Sequence, residues 1–326
     1  MNNLNRVDKI STDAKKVIIS VNPKAGRTSP MLRAEELRDR LNRMGFQAEL
    51  GTDLEEISEK VAGYQRNGEL RVLVGVGGDG TAAELVNRTA PGTPITLLSS
   101  GTANLIAKYL RLGRSPKRLA EVIAGGHVLH LDAGRANDRL FLVMIGCGFD
   151  AHVVQQVHAY RENRYKSGGK QGAHISYFSY IKPIIKSLLS YRYPRIHIET
   201  QDSQVIAAQW VFIFNLPRYG WGIPLVLQSN GTDGRLDHCL FQKGSIINGL
   251  KYTVFAQCGA MHRLLPDVKL GQSKKYRITS DSEVFYQLDG DPGGKLPVEV
   301  EIIEKRFTVV VPEWAVRRYG TLPHSS

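Results

Sequence analysis

The stretch Leu70-Arg71-Val72-Leu73-Val74-Gly75-Val76-Gly77-Gly78-Asp79-Gly80-Thr81-Ala82-Ala83-Glu84-Leu85-Val86-Asn87 decides how the first part of this chain folds. An apolar, strand-like run from Leu70 to Val76 passes through three glycines around one acid and leads straight into a helix-like run, Ala82 to Asn87. Gly77, Gly78 and Gly80 let the backbone come close to a polyphosphate, the N–H groups opening the helix point at it, and Thr81 adds a hydroxyl donor. An ordinary strand-to-helix turn is the plainer alternative, but one glycine satisfies it. Gly75 to Gly80 also matches the dinucleotide pattern G-x-G-x-x-G. That pattern wants an acid about twenty residues later for the ribose, and none occurs between Glu84 and Glu121. The P-loop string is absent.

Working outward, the first 125 residues or so alternate strand-like and helix-like segments. Lys16 to Val21 reads as a buried strand, and Leu32, Leu37, Leu41 and Met44 recur at near-helical spacing. A second strand fits Phe46 to Leu50, a second helix Leu54, Ile57, Val61 and Tyr64, and a fourth strand Ile95 to Leu98 before a helix begun near Thr102. This order predicts an α/β domain with a doubly wound parallel sheet, whose ligands bind where strands end and helices begin. The glycine loop and the Ser100 to Asn104 turn occupy such positions, and so does Asn22-Pro23-Lys24-Ala25-Gly26 after the first strand. Asn-Pro and Gly are ordinary turn formers when taken alone. Together the three turns would converge on one crevice.

Beyond residue 130 short β-rich runs dominate: Phe141 to Ile145, Ile196 to Thr200, Ile206 to Phe214, Tyr276 to Thr279, Val284 to Leu288, Val298 to Ile303 and Phe307 to Val311. They predict a second, mainly antiparallel β-sandwich domain. One helix is expected at His174 to Leu189, kinked or divided by Pro183. The domains read as 1–128 (α/β, nucleotide-binding) and 129–312 (β-rich, acceptor-binding), with 313–326 a tail that can return to the first domain.

The chain of 326 residues, 42% hydrophobic and 23% charged, is that of a globular protein. Three cysteines, Cys147, Cys239 and Cys258, give neither a disulfide framework nor a zinc site, and a reducing cytoplasm is the simplest reading. The longest apolar run, Phe141 to Phe149, is under half of what a spanning helix needs. A net charge of +12 implies attraction to something anionic. Without a zinc finger, an RNP-type string or a basic helical repeat, nucleic acid is not expected as the partner. His152, His158 and His262 have no metal-ligand spacing.

Two acidic turns come late, Thr232-Asp233-Gly234-Arg235-Leu236-Asp237 and Leu288-Asp289-Gly290-Asp291. Phosphoryl transfer to an alcohol needs phosphate charge neutralised, usually by Mg²⁺ on hard oxygen ligands, and a carboxylate to accept the hydroxyl proton. One turn could serve each task. Asp-Gly pairs also make plain hairpin turns, and the sequence leaves both readings open.

With these residues in place, the chain resembles the diacylglycerol kinase catalytic-domain family, which includes bacterial diacylglycerol kinases and sphingosine kinases. Asn22-Pro23 with Gly26, Thr52, Gly77 to Thr81 with Glu84, Gly101-Thr102 with Asn104, Gly148 to Ala151, Asp233-Gly234 with Leu236-Asp237, and Leu288 to Gly290 follow in the family's order from about residue 16 to Pro312. The resemblance implies that ATP contacts Asn22, Thr52, Gly77, Gly78, Asp79, Gly80, Thr81, Glu84, Thr102 and Asn104, with Asp79 near the phosphates. It also implies a metal site, for Mg²⁺, at Asn230, the Asp233 carboxylate and the main-chain oxygen of Arg235. The family's proton acceptor belongs to a D-G-E string matched by Asp289-Gly290-Asp291, one methylene shorter at its end, so both Asp289 and Asp291 stand as catalytic candidates. Leu105 stands where many members have an acid.

The resulting expectation is an ATP- and Mg²⁺-dependent kinase of a membrane lipid, cytoplasmic and peripherally attached to an anionic membrane. Arg161 to Arg195 carries eight Lys/Arg against Glu162, interleaved with tyrosines, and Arg161, Arg164, Lys166 and Lys170 are the bases expected to touch the leaflet. A solvated basic face is the alternative. The rival functions are a kinase of a soluble substrate such as NAD, and a catalytically inactive nucleotide- or lipid-binding regulator. Oligomeric state stays open, a homodimer included.

Overall fold

The computed structural model describes residues 8–21, 28–101, 103–166, 191–220 and 222–320, with side chains at all of them except 28, 29 and 161–166. The chain divides into two compact units, residues 1–133 with 304–326, and residues 134–303.

In the first unit β1 (Lys16–Val21), α1 (Thr28–Arg43), β2 (Gln47–Gly51), α2 (Leu54–Arg66), β3 (Leu70–Gly77), α3 (Asp79–Arg88), β4 (Ile95–Ser99), α4 (Leu105–Tyr109) and α5 (Pro116–Gly125) follow in order. The strands run parallel in the order β2-β1-β3-β4. Strands β1, β3 and β4 are buried almost throughout, as continuous apolar runs must be in a parallel sheet covered on both faces. Ala34, Leu37 and Leu41 of α1 pack with Val17, Ile19, Val72, Val74 and Val76 in one core. Local signals set the helix ends. Asp53 accepts the N–H groups of Glu55 and Glu56 to start α2, while Ser115 caps α5, which opens on Pro116 and closes on Gly126 in the left-handed conformation.

The sheet has one further parallel neighbour that no local signal announces. The chain's last strand, Val298–Val310, lies beside β4 with Val309 opposite Ile95, and Thr96 Oγ1 donates to the Val310 carbonyl at 2.9 Å. The closing helix Glu313–Tyr319 stacks Tyr319 on Tyr109, ring centroids 4.6 Å apart.

The second unit takes up β5 (Val128–Ala136) at its final residues, which pair with β6 (Arg139–Phe141). It continues through β7 (Met144–Gly148), α6 (Phe149–Lys166), β8 (Ile196–Thr200), β9 (Val205–Ala208), β10 (Trp210–Phe214), β11 (Leu236–Phe241) and α7 (Ile246–Gln257), then β12 (Val268–Ser273), β13 (Lys275–Ser280), β14 (Phe285–Leu288), β15 (Asp291–Lys295) and β16 (Val298–Val310). One antiparallel sheet has the order β12-β11-β10-β7-β14-β15. The other pairs β16, β13, β8 and β9 in turn. Ile145, Val211, Ile213, Leu236 and Leu240 from the first meet Ile196, Ile198, Ile278, Val298 and Val300 from the second in a shared core, which makes the unit a β-sandwich.

The structure departs from the sequence reading at several segments. The single strand expected at Phe141 to Ile145 is split between β6 and β7, because the N–H groups of Leu142, Val143 and Met144 turn toward one carboxylate, that of Asp289. Helices α6 and α7 replace segments the sequence reading left without structure. The helix expected at His174 to Leu189 lies outside the described residues. Among the described residues no helix is long and apolar enough to cross a membrane.

Candidate active site

Parallel strands put all their carboxyl ends on one edge of the first unit's sheet. The chain steps one way from β1 to β2 and the other way from β3 to β4, so the connections diverge between β1 and β3 and open a crevice there. A cavity of about 690 Å³ lies at this edge. Its lining includes Ser20 and Val21 at the end of β1, Thr52 just past β2, and Gly80, Thr81 and Glu84 in the first turns of α3. Four of the residues expected at ATP are thus brought together. Asn22 and Thr102, expected there too, lie outside the described residues. Glu84 is turned toward Arg88, one helical turn on, in an ion pair.

The remaining expected residues build the walls. Gly78 caps α3, and the helix's first N–H groups have no acceptor of their own within it. Gly78 lies against Gly101 so closely that a Cβ on Gly101 would sit 2.8 Å from the Gly78 Cα, and a Cβ on Gly77 would collide with the Thr81 hydroxyl. Two loops distant in sequence therefore meet backbone to backbone. Asn104, buried and in the left-handed conformation, closes its own turn: its amide donates to the Gly101 carbonyl at 2.6 Å, and its carbonyl accepts the Gly101 N–H at 3.1 Å.

Asp79 holds these walls together. The resemblance implies Asp79 near the phosphates, and both its carboxylate oxygens accept backbone N–H groups. Leu105 N–H donates to Oδ2 at 2.8 Å and Ile106 N–H to Oδ1 at 2.9 Å, so the first residue of α3 caps α4. Burial pushes the Asp79 carboxyl above its ordinary value, and the Ile106 and Leu105 N–H groups, with the charge of Lys108, oppose that rise.

In the second unit Asp289 and Gly290 form the two-residue turn of the β14–β15 hairpin, both with positive φ, 53° and 94°. The Asp289 carboxylate accepts the N–H groups of Leu142, Val143 and Met144 at 2.7, 2.8 and 2.9 Å. A carboxylate clasped by three backbone donors fastens the hairpin to the β6–β7 bend. Asp291, exposed at the start of β15, has Arg139 Nη2 at 3.7 Å. The hairpin is tied further by Gln287, whose carbonyl accepts the Gly290 N–H at 2.7 Å and whose amide donates to Asp150 Oδ2 at 2.9 Å. Tyr219 Oη donates to the other Asp150 oxygen. Burial raises the Asp150 carboxyl, and the Tyr219 and Gln287 hydrogen bonds oppose this. No sequence signal assigned a role to Tyr219 or Gln287, since their partners lie far along the chain.

At the other turn Asp233 Oδ1 accepts the Arg235 N–H at 3.0 Å, and Asn230 Oδ1 accepts the Thr232 hydroxyl at 3.0 Å. Among the described residues no three His, Cys, Asp or Glu side chains gather as a metal site. The expected set is instead one carboxylate and two neutral oxygens on a single tight turn. Such hard donors suit Mg²⁺, which keeps its remaining positions for water or phosphate oxygens. Buried Asp237 follows on β11, its carboxyl pushed up to about 6 by burial, with the Gln272 hydrogen bond to Oδ1 opposing and the Asp233 charge adding to the rise.

Residues 16–136 match the diacylglycerol kinase catalytic domain, and residues 143–311 match the YegS C-terminal NAD kinase beta sandwich-like domain. The chain belongs to the diacylglycerol kinase catalytic-domain family. A diacylglycerol kinase of Staphylococcus epidermidis is 25% identical over 249 residues, covering 75% of each chain, and one of Staphylococcus saprophyticus is 24% identical over 304 residues, covering 91% of this chain and 96% of its own. A solved structure from Bacillus anthracis, described as a candidate diacylglycerol kinase, superposes with a TM-score of 0.70 at 20% identity and covers 94% of this chain and 98% of that one, a likeness of fold.

Proposed function

We propose that this protein transfers the γ-phosphoryl group of ATP to a hydroxyl of a membrane lipid, diacylglycerol or a close relative, with Mg²⁺ as the charge-neutralising cation. The observation that carries this reading is the crevice at the carboxyl ends of β1 to β4, where Thr52, Gly80, Thr81 and Glu84 share one cavity beside the α3 N-terminus. Polyphosphate would lie against the first-turn N–H groups of α3, with Thr81 as an added hydroxyl donor. Asn22 and Thr102 are assigned to the same ligand by family resemblance. Asp79 and Asn104 act one step removed, holding the two loops in register.

Asp291 accepts the lipid hydroxyl proton as the new P–O bond forms and the bond to the ADP leaving group breaks. Direct in-line transfer needs only positioning, a cation and a base, and no phosphoenzyme. Asn230, Asp233 and the Arg235 carbonyl would hold Mg²⁺, which offsets phosphate charge when bound.

ATP consumption measured with vesicles carrying diacylglycerol, against NAD, sugar phosphates and empty vesicles, tests the proposal. Turnover with the lipid alone is the expected result. Turnover with NAD or a sugar phosphate would replace it with a soluble acceptor, and ATP binding without turnover would make the protein a regulator.

A further inference from the structure

Helix α7 is packed the wrong way round for a surface helix in water. Its inward face is Gly249, Tyr252 and Ala256, all buried. A Cβ on Gly249 would collide with the Trp210 ring, so only glycine lets the helix settle on β10. Tyr252 stacks on Phe241 with centroids 4.3 Å apart and donates to Asp267 Oδ2 at 2.8 Å, and Lys251 reaches the same oxygen at 3.0 Å. The large aliphatic side chains point outward: Ile246 is 44% exposed, Ile247 80%, Leu250 68% and Val254 50%. Ile247, Leu250 and Val254 share one face at helical spacing. The 3-10 turn Met261–Leu264 extends the patch with Met261, 45% exposed, and Leu264, 72%. That turn is anchored through fully buried His262, whose Nε2 lies 2.8 Å from the Leu225 carbonyl. Six of the twelve large hydrophobic residues exposed among the described residues thus fall within nineteen positions of chain, on elements held rigidly from beneath.

The polar surroundings are of one sign. No Asp or Glu occurs from Gln242 to Pro266, while Lys243 and Arg263, with Lys269 just beyond, are exposed. Asp267, the nearest acid in the chain, is buried and engaged by Lys251 and Tyr252. We propose that α7 and the Met261–Leu264 turn form a membrane-docking face of the second unit, inserting Ile247, Leu250, Val254 and Leu264 below the head groups of an anionic bilayer. Lys243, Arg263 and Lys269 then lie at the level of the lipid phosphates, the arrangement of an interfacial amphipathic element. A second copy of this chain fits less well. A two-fold contact through the same patch would set these cations against their own equivalents. The docking face shares no residue with the lining of the crevice at the strand ends, and the proposal does not depend on which hydroxyl is phosphorylated.

The chain carries its own reporter. Cys258, at the end of α7, is exposed, whereas Cys147 and Cys239 are buried. The full protein, labelled at Cys258 with an environment-sensitive fluorophore, is mixed with vesicles of phosphatidylcholine with or without phosphatidylglycerol, in the absence of ATP, Mg²⁺ and diacylglycerol. A blue shift with the anionic vesicles that weakens in high salt is expected, with co-sedimentation of the unlabelled protein as the second measure. The variant Ile247→Gln/Leu250→Gln/Leu264→Gln should bind at least about tenfold more weakly at unchanged thermal stability, and Lys243→Gln/Arg263→Gln/Lys269→Gln should lose the preference for phosphatidylglycerol. Both should keep wild-type turnover of a short-chain, water-soluble diacylglycerol. Absence of wild-type binding, or wild-type binding by the apolar variant, overturns the proposal. So does a change from dimer to monomer in that variant with vesicle binding intact, which would make the face an interface between copies. If no lipid supports ATP turnover yet vesicle binding needs these residues, the docking face stands and the kinase reading falls.

Discussion

Gly78-Asp79-Gly80 in the first unit and Asp289-Gly290-Asp291 in the second read alike, an acid flanked by glycine at the end of an apolar strand, and each spends its leading carboxylate on backbone N–H groups. Asp79 sits at the start of a helix and caps a second one, pinning two loops at the carboxyl ends of the parallel strands. Asp289 sits in a hairpin turn and fastens the bend between β6 and β7. The difference lies in what each leaves open. Beside Asp79 the chain presents the N–H donors that open α3, where the proposed reading puts polyphosphate. Beside Asp289 it presents a second carboxylate, exposed Asp291, the proton acceptor of the proposed transfer. A conspicuous acid in a glycine turn can be the scaffold.

The sharpest way to break this comparison is Asp289→Ala. It strands three N–H donors and puts alanine at φ 53°, so unfolding in urea should show a loss of about 3–5 kcal/mol. A fully stable variant would refute the clasp. Next in size, Asp291→Asn should lower kcat by roughly 100-fold with the melting temperature unchanged. If its kcat stays at the wild-type level while Asp289→Asn loses activity without losing stability, the two roles are reversed. For Asp79→Ala the expectation is about 2 kcal/mol of lost stability, together with a raised KM for ATP, because the capped turn is freed; a kcat defect alone in a fully stable protein would return Asp79 to the reacting phosphates.

The smallest expected effect concerns Asp237. Its folded value, about 6, lies above the unfolded value of 3.8, so the native state holds the proton more tightly between these pH values. Stability therefore falls as pH rises from about 4 to 6 and levels off above. In EDTA the melting temperature should drop by about 2–4 °C over that window, and Asp237→Asn should abolish the drop. A drop that persists in the variant would assign the titration to another group.

Legibility followed distance along the chain. The glycine loop, its preceding strand and its following helix were readable because a few adjacent residues determine them, and the alternation of such segments predicted the parallel sheet. Thr52, Gly80, Thr81 and Glu84 could be named from motif order, and they share a cavity because parallel strands end on one edge. Helix α7 escaped notice because the usual pattern is inverted, with glycine and alanine inward and isoleucine and leucine outward. A periodicity rule that expects large apolar residues to be buried has no way to assign that face.

By itself the sequence determined the two classes of structure, the turns at the strand ends and the residue types available for phosphate, cation and proton chemistry, since all of these are local properties of the chain. Only the tertiary structure decided which carboxylates are occupied. The partners of Asp79 lie 26 and 27 residues away, and those of Asp289 lie 145 to 147 residues away. A carboxylate's role depends on how many donors reach its two oxygens, and donors that arrive from other strands and helices exist only once the chain has folded.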